Sequence, residues 1–188
     1  MNNQKIIGFD MDGVVVDINP LKFKVLKKLG WKLKIANMPV EIITKILTPK
    51  VLESMRGALY FKKAIAMRTK LMPGLCDLLD QLRKVKTQYF LISRRAEPEI
   101  AKELLLARGL WPKYFNELNA FFVITPEDKN IKAKELGVTH YVDDETKVLA
   151  VLADVPNKFL FDDLNVFPSS ENYTKVSSHK ELERYLFN

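Results

Sequence analysis

Through most of the chain, short apolar runs of strand length alternate with longer stretches whose apolar residues recur every three or four positions. Runs of the first kind lie at 5–10, 87–93, 120–125, 139–142 and 158–161. Between the second and third, residues 97–108 place Ile100, Leu104, Leu105 and Ala107 near helical spacing and stop at Gly109, a helix-ending residue. Stretches 73–85, 128–136, 145–153 and 178–186 predict helices in the same way. This alternation predicts βαβ units, and with them an α/β fold: a Rossmann-like parallel sheet with helices on both faces.

One segment breaks the rhythm. Residues 18–72 hold no convincing strand but three or four helical patterns separated by Gly30, Pro39, Pro49 and Gly57. The simplest account is a small helical domain inserted directly after the first strand, with 1–17 and 73–188 forming the α/β core. Loops leaving the carboxyl ends of parallel strands are where such folds build binding sites, so the insert is placed to act as a lid.

Composition sets bounds on this picture. A length of 188 residues, with 47% hydrophobic and 28% charged residues, fits one folded domain with an elaboration and excludes disorder or a collagen-like chain. Cys76, the single cysteine, cannot form an internal disulfide or a multi-cysteine zinc site; with no signal-like opening, a reducing cytoplasm is the expected location. No run approaches the length needed to span a bilayer, so no membrane partner is expected. His140 and His179 stand apart from other ligand-type residues in the sequence, and Cys76 falls in a helical pattern suited to packing.

The net charge of +7 is unevenly spread. Residues 18–72 carry 13 Lys or Arg against Glu41 and Glu53, a balance of +11, which leaves the rest of the chain at −4. A basic insert suits anionic partners such as phosphates or nucleic acid. Phe23, Trp31, Tyr60 and Phe61 interleave with the basic residues and could stack on bases, although aromatics at helical spacing usually pack a core.

The sharpest chemical signal is Asp10-Met11-Asp12-Gly13 directly after the first apolar strand. Two carboxylates at a strand end, where the chain turns away, need a cation or a shared proton. Mg²⁺, a hard ion that prefers oxygen donors, is the natural candidate. The bland alternative is an acidic turn stabilised by Gly13. Three more polar clusters follow predicted strands: Ser93-Arg94-Arg95, the lysine-rich helix start with Lys129, Lys132 and Lys134, and Asp143-Asp144-Glu145.

In that order, these motifs resemble the haloacid dehalogenase-like (HAD) phosphohydrolases over residues 6–145, with Val14 standing where many members have Thr. The resemblance implies that Asp10 is a nucleophile forming an aspartyl-phosphate and that Asp12 is the general acid and base. Mg²⁺ is expected on the carboxylates of Asp10 and Asp144 and the backbone carbonyl of Asp12, with Asp143 helping to place it. Ser93, Arg94 and Lys129 are the expected phosphate-binding residues. Lys129 is preferred for its place at the helix start, and Lys132 is the alternative. One of the paired arginines fits the family's Ser-x-Arg pattern, and the other is expected at the surface.

The insert resembles the small helical C1-type cap that closes over small phosphomonoesters. The tail, Lys158 to Asn165 followed by Val176-Ser177-Ser178 and a helix, looks like the end of 5'-deoxyribonucleotidase-type members. The expected partner is thus a small phosphorylated substrate, a nucleotide first, for a 5'-nucleotidase-like hydrolase. The alternatives are a polynucleotide 3'-phosphatase and a non-catalytic protein that binds nucleic acid through the basic insert.

Overall fold

The structure, a computed structural model, describes residues 5–187. Six parallel strands form the central sheet: β1 (Ile6–Phe9), β4 (Gln88–Arg94), β5 (Ala120–Val123), β6 (His140–Asp143), β7 (Asn157–Phe161) and β8 (Thr174–Val176), in the order β5-β4-β1-β6-β7-β8. The remaining strands, β2 (Val16–Asp17) and β3 (Lys70–Leu71), pair antiparallel in a separate ribbon. Strand alternation sorts side chains to two faces. Tyr89 and Leu91 of β4 join one core with Ile7 and Phe9, and Phe90 and Ile92 join another with Tyr141.

Helices cover both faces, as the apolar spacing predicts. The first core receives α5 (Leu75–Lys84), α6 (Pro98–Ala107) and α9 (His179–Leu186); the second receives α7 (Pro126–Glu135) and α8 (Thr146–Val151). The sheet is thus the doubly covered parallel sheet expected from the sequence.

Between the two ribbon strands the chain builds α1 (Asn19–Lys28), a 3-10 turn at Ile35–Asn37, α2 (Val40–Ile46), α3 (Pro49–Tyr60) and α4 (Lys63–Ala66). These helices bury a third apolar cluster of their own, with Leu21, Leu26, Met38, Ile43, Met55 and Leu59 inside. Phe23, Trp31 and Tyr60 pack against it. Met72 N–H donates to the carbonyl of Val15 at 3.0 Å, extending the seam where the segment leaves and rejoins the core.

Three local expectations change. Gly57 lies inside α3, where burial of Met55 and Leu59 on either side offsets a glycine cost of about 1 kcal/mol. Lys70–Leu71 forms a strand in the segment expected to hold none, because it pairs with the outgoing Val16–Asp17. A short sixth sheet strand, Thr174–Val176, was not predicted: it has three residues and gains its pairing from β7 alone. Among the described residues, no helix is long and apolar enough to cross a membrane.

Candidate active site

The order β4-β1-β6 places three carboxyl strand ends side by side. Phe9 is in register with Leu91 on one side and Val142 on the other, so Asp10, just beyond β1, meets the ends of both neighbours. Asp10 N–H continues the ladder by donating to the Val142 carbonyl at 2.9 Å. Ser93 and Arg94 end β4, while Asp143 ends β6 and Asp144 follows it.

Lys129 ties two of these ends together. Thr125 caps α7: its Oγ1 accepts from Asp128 N–H at 3.1 Å and Asp128 returns the bond, setting the first turn. From that turn the Lys129 ammonium, 1% exposed, donates to Asp10 Oδ1 at 2.6 Å and Asp143 Oδ2 at 2.7 Å. Burial alone would lower its pKa, but Asp10 and Asp143 outweigh burial and hold the ammonium well above the ordinary lysine value. Lys132 instead pairs with Glu135 on the outside of the helix, away from the acids.

Carboxylate oxygens of Asp10, Asp143 and Asp144 lie within 4.8 Å of one another. Burial is the largest influence on Asp143 and pushes its carboxyl up to about 7, with Asp10 and Glu145 acting the same way and Lys129 pulling it back. Burial likewise raises Asp144, against the pull of the Lys22 ammonium. Three convergent carboxylates that are costly to keep charged, all hard oxygen donors, fit a Mg²⁺ ion. Gly13 is needed beside them: its φ is +79°, and a Cβ there would lie 2.4 Å from Asp144 Oδ2.

The Asp12 carboxylate has its partner outside this cluster. Its Oδ1 accepts from Arg95 Nη2 at 2.6 Å, and the Arg95 guanidinium rests over the Tyr60 ring, 4.6 Å from its centroid. One of the paired arginines is expected at the surface; Arg95, two residues after Ser93 as the Ser-x-Arg pattern requires, is not there, its side chain being 8% exposed. Arg94 also has a partner in the site, Glu145. Both arginines are held there because β4 delivers one and the turn after it delivers the other.

A cavity of about 260 Å³ opens over these groups, lined by Asp10, Asp12, Ser93, Arg94, Asp144 and Glu145 from the core and by Lys22, Val40, Arg56 and Tyr60 from the inserted helices. All the expected site residues except Lys129 and Asp143 line it, and those two are buried directly beneath, against Asp10. Glu41 of α2 clasps the rim: its carboxylate accepts from Thr146 Oγ1 at 2.8 and 2.9 Å and from Lys147 N–H at 3.0 Å. Sequence reasoning missed Arg95, Lys22, Arg56 and Glu41 as site residues. The signal for the first two was present only as a second arginine after Ser93 and as one lysine among many.

No protein-family model matches the chain, and no curated protein matches it by sequence. Solved structures do match along nearly its whole length. A HAD family hydrolase from Deinococcus radiodurans, crystallised with bound phosphate and sodium, shares 16% identity over 97% of this chain and 94% of its own, with a TM-score of 0.64. A Thermotoga maritima protein described as a β-phosphoglucomutase shares 19% over 97% and 98%, also at 0.64. A Bacillus subtilis protein described as a HAD-hydrolase and bound to magnesium shares 14% over 98% and 99%, at 0.62. The chain therefore has the fold of the HAD-superfamily hydrolases. The 5'-nucleotidase resemblance of the tail gains no support from these neighbours.

Proposed function

We propose that this chain is a Mg²⁺-dependent phosphomonoesterase that works through an aspartyl-phosphate on Asp10. The observation that carries the reading is the convergence of Asp10, Lys129, Asp143 and Asp144 at the floor of one cavity that Asp12, paired with Arg95, also lines. Phosphoryl transfer needs positioning and charge stabilisation more than anything else, and this site supplies both.

Asp10 attacks phosphorus, the bond to the leaving oxygen breaks, and Asp12 gives that oxygen a proton. Asp12 then takes a proton from water, which attacks the same phosphorus and releases Asp10. Ser93, Arg94 and Lys129 hold phosphoryl oxygens and orient the nucleophile. The carboxylates of Asp10 and Asp144 and the backbone carbonyl of Asp12 would hold Mg²⁺, with Asp143 alongside. When bound, the ion would offset the repulsion between an anionic nucleophile and an anionic ester. Dehalogenases share the fold, but a second acid two residues after the nucleophile suits an alkoxide leaving group that must be protonated.

For the substrate, a small phosphate ester is supported by the modest, lidded cavity. A nucleoside monophosphate is the class suggested by the tail, and the basic insert keeps 3'-phosphorylated oligonucleotides beside it. The test is phosphate release with Mg²⁺ and with chelator across nucleoside monophosphates, sugar phosphates and 3'-phosphorylated oligonucleotides. The expected result is Mg²⁺-dependent turnover that Asp10→Asn abolishes with the fold intact. Equal hydrolysis by that variant would overturn the mechanism. Silence across the panel, with steeply salt-dependent binding to nucleic acid, would favour the non-catalytic alternative.

A further inference from the structure

The cations around the cavity fall into two groups. Lys129, Arg94 and Arg95 come from the core, and each is already engaged by a carboxylate of the site: Lys129 by Asp10 and Asp143, Arg94 by Glu145, Arg95 by Asp12. Lys22 and Arg56 come from α1 and α3 of the inserted helices and, among the described residues, form no ion pair. Lys22 is 4% exposed, and its ammonium donates to the neutral Asn19 Oδ1 at 3.3 Å. Its charge reaches Asp17 and Asp144 through space only, and Asp144 belongs to the cluster suited to a metal. A buried ammonium with so little compensation is expensive to keep unless an anion meets it.

Arg56 lies one turn before Tyr60 on α3 and opens both on the catalytic cavity and on an adjoining space of about 140 Å³. That second space is walled by Tyr60, Phe61, Arg94, Arg95 and Glu97, and the Arg95 Nε is buried with no hydrogen-bond partner among the described residues. In-line attack by Asp10 sends the leaving group to the side of phosphorus away from the sheet, which is the side walled by the inserted helices. The free positive charge of this site therefore faces the leaving group.

We infer that the ester cleaved here carries a second anionic group, a carboxylate or a second phosphate, on its leaving alcohol, and that Lys22 and Arg56 receive it. The inference rests on the phosphomonoesterase reading and narrows its substrate class. A nucleoside monophosphate, whose leaving group is neutral, would leave both cations unmet.

The test compares kcat/KM for Mg²⁺-dependent phosphate release within two matched pairs: 3-phosphoglycerate against glycerol 3-phosphate, and fructose 1,6-bisphosphate against fructose 6-phosphate. The parent protein should prefer the charged member of at least one pair by about tenfold or more, and the pair that shows it separates carboxylate from phosphate. Lys22→Gln and Arg56→Gln should each bring that ratio down towards unity. Arg56 is exposed, so its variant keeps the test valid if Lys22→Gln folds poorly. A parent ratio near unity in both pairs, or a preference that survives both substitutions, overturns the inference while leaving the phosphatase standing. No release from any member, nor from p-nitrophenyl phosphate, instead removes the phosphomonoesterase reading and the inference with it.

Discussion

Arg95 and Asp12 form an ion pair at 2.6 Å across 83 residues of chain, with the guanidinium lying on Tyr60 of α3. The proposed acid and base is thereby held by a core arginine that is itself packed by the inserted helices. Its orientation depends on the docking of those helices.

If Arg95 positions Asp12, Arg95→Gln should lower kcat by about tenfold or more with little change in KM, and Arg95→Lys should recover part of the loss. The same substitution in an Asp12→Asn background should cost little further, because both changes disable one unit. Steady-state kinetics on the parent, the three single variants and the double variant measures this, and full additivity would exclude the coupling.

Lys129 holds two buried carboxylates apart by lying between them. Lys129→Met should cost about 3–5 kcal/mol in urea unfolding, since it leaves both acids uncompensated. Lys132→Met, on the outer face, should stay within about 0.5 kcal/mol. Added Mg²⁺ should restore part of the Lys129 loss. Equal stability of the two variants would show that the buried pairing contributes nothing.

Saturating Mg²⁺ should raise the melting temperature of the parent by roughly 5–10 °C, the scale expected for a ligand at a hundred times its Kd. Asp144→Asn should abolish the rise. Gly13→Ala should do so as well, because its Cβ would occupy the place of the Asp144 carboxylate. A thermal shift assay with and without the ion decides, and an undiminished rise in Asp144→Asn would remove that residue from the site.

His179 supplies a pH dependence remote from the chemistry. Its Nε2–H donates to the Val14 carbonyl at 2.9 Å, Nδ1 is buried without a partner among the described residues, and burial pushes its pKa down to about 4. The folded state thus prefers the neutral ring, and the unfolded chain binds the proton first as pH falls below the ordinary histidine value. The stabilising contribution is complete above about pH 6.5 and is lost towards pH 4, a loss of about 3 kcal/mol. Asp143, pushed up by burial, works in the opposite sense over much of that range. The readout is therefore the difference in unfolding free energy between parent and His179→Gln across pH 4–7, and a flat difference would contradict the buried neutral ring.

Much of the architecture is legible along the chain because its causes are local. β1, β4 and β6 are short apolar runs that can be satisfied only inside a sheet, and polar residues at their carboxyl ends announce a site. Asp10 and Asp12, two positions apart after β1, carry a chemical meaning that needs no tertiary knowledge. Even the placement of Lys129, and not Lys132, against the acids follows from helix geometry, since the first turn of α7 sits nearest the strand ends.

Other features have no local cause. The three-residue β8 exists because β7 offers a free edge, and Lys70–Leu71 becomes a strand because Val16–Asp17 lies beside it. Arg95 meets Asp12, and Lys22 enters the cavity, through packing between segments that are distant in sequence. An arginine after a strand or a lysine on an amphipathic helix looks the same whether it faces water or a buried acid. Periodicity and strand-end chemistry act within a few residues, so they can be read from order alone, whereas burial and charge pairing arise when separate elements dock and water is excluded between them.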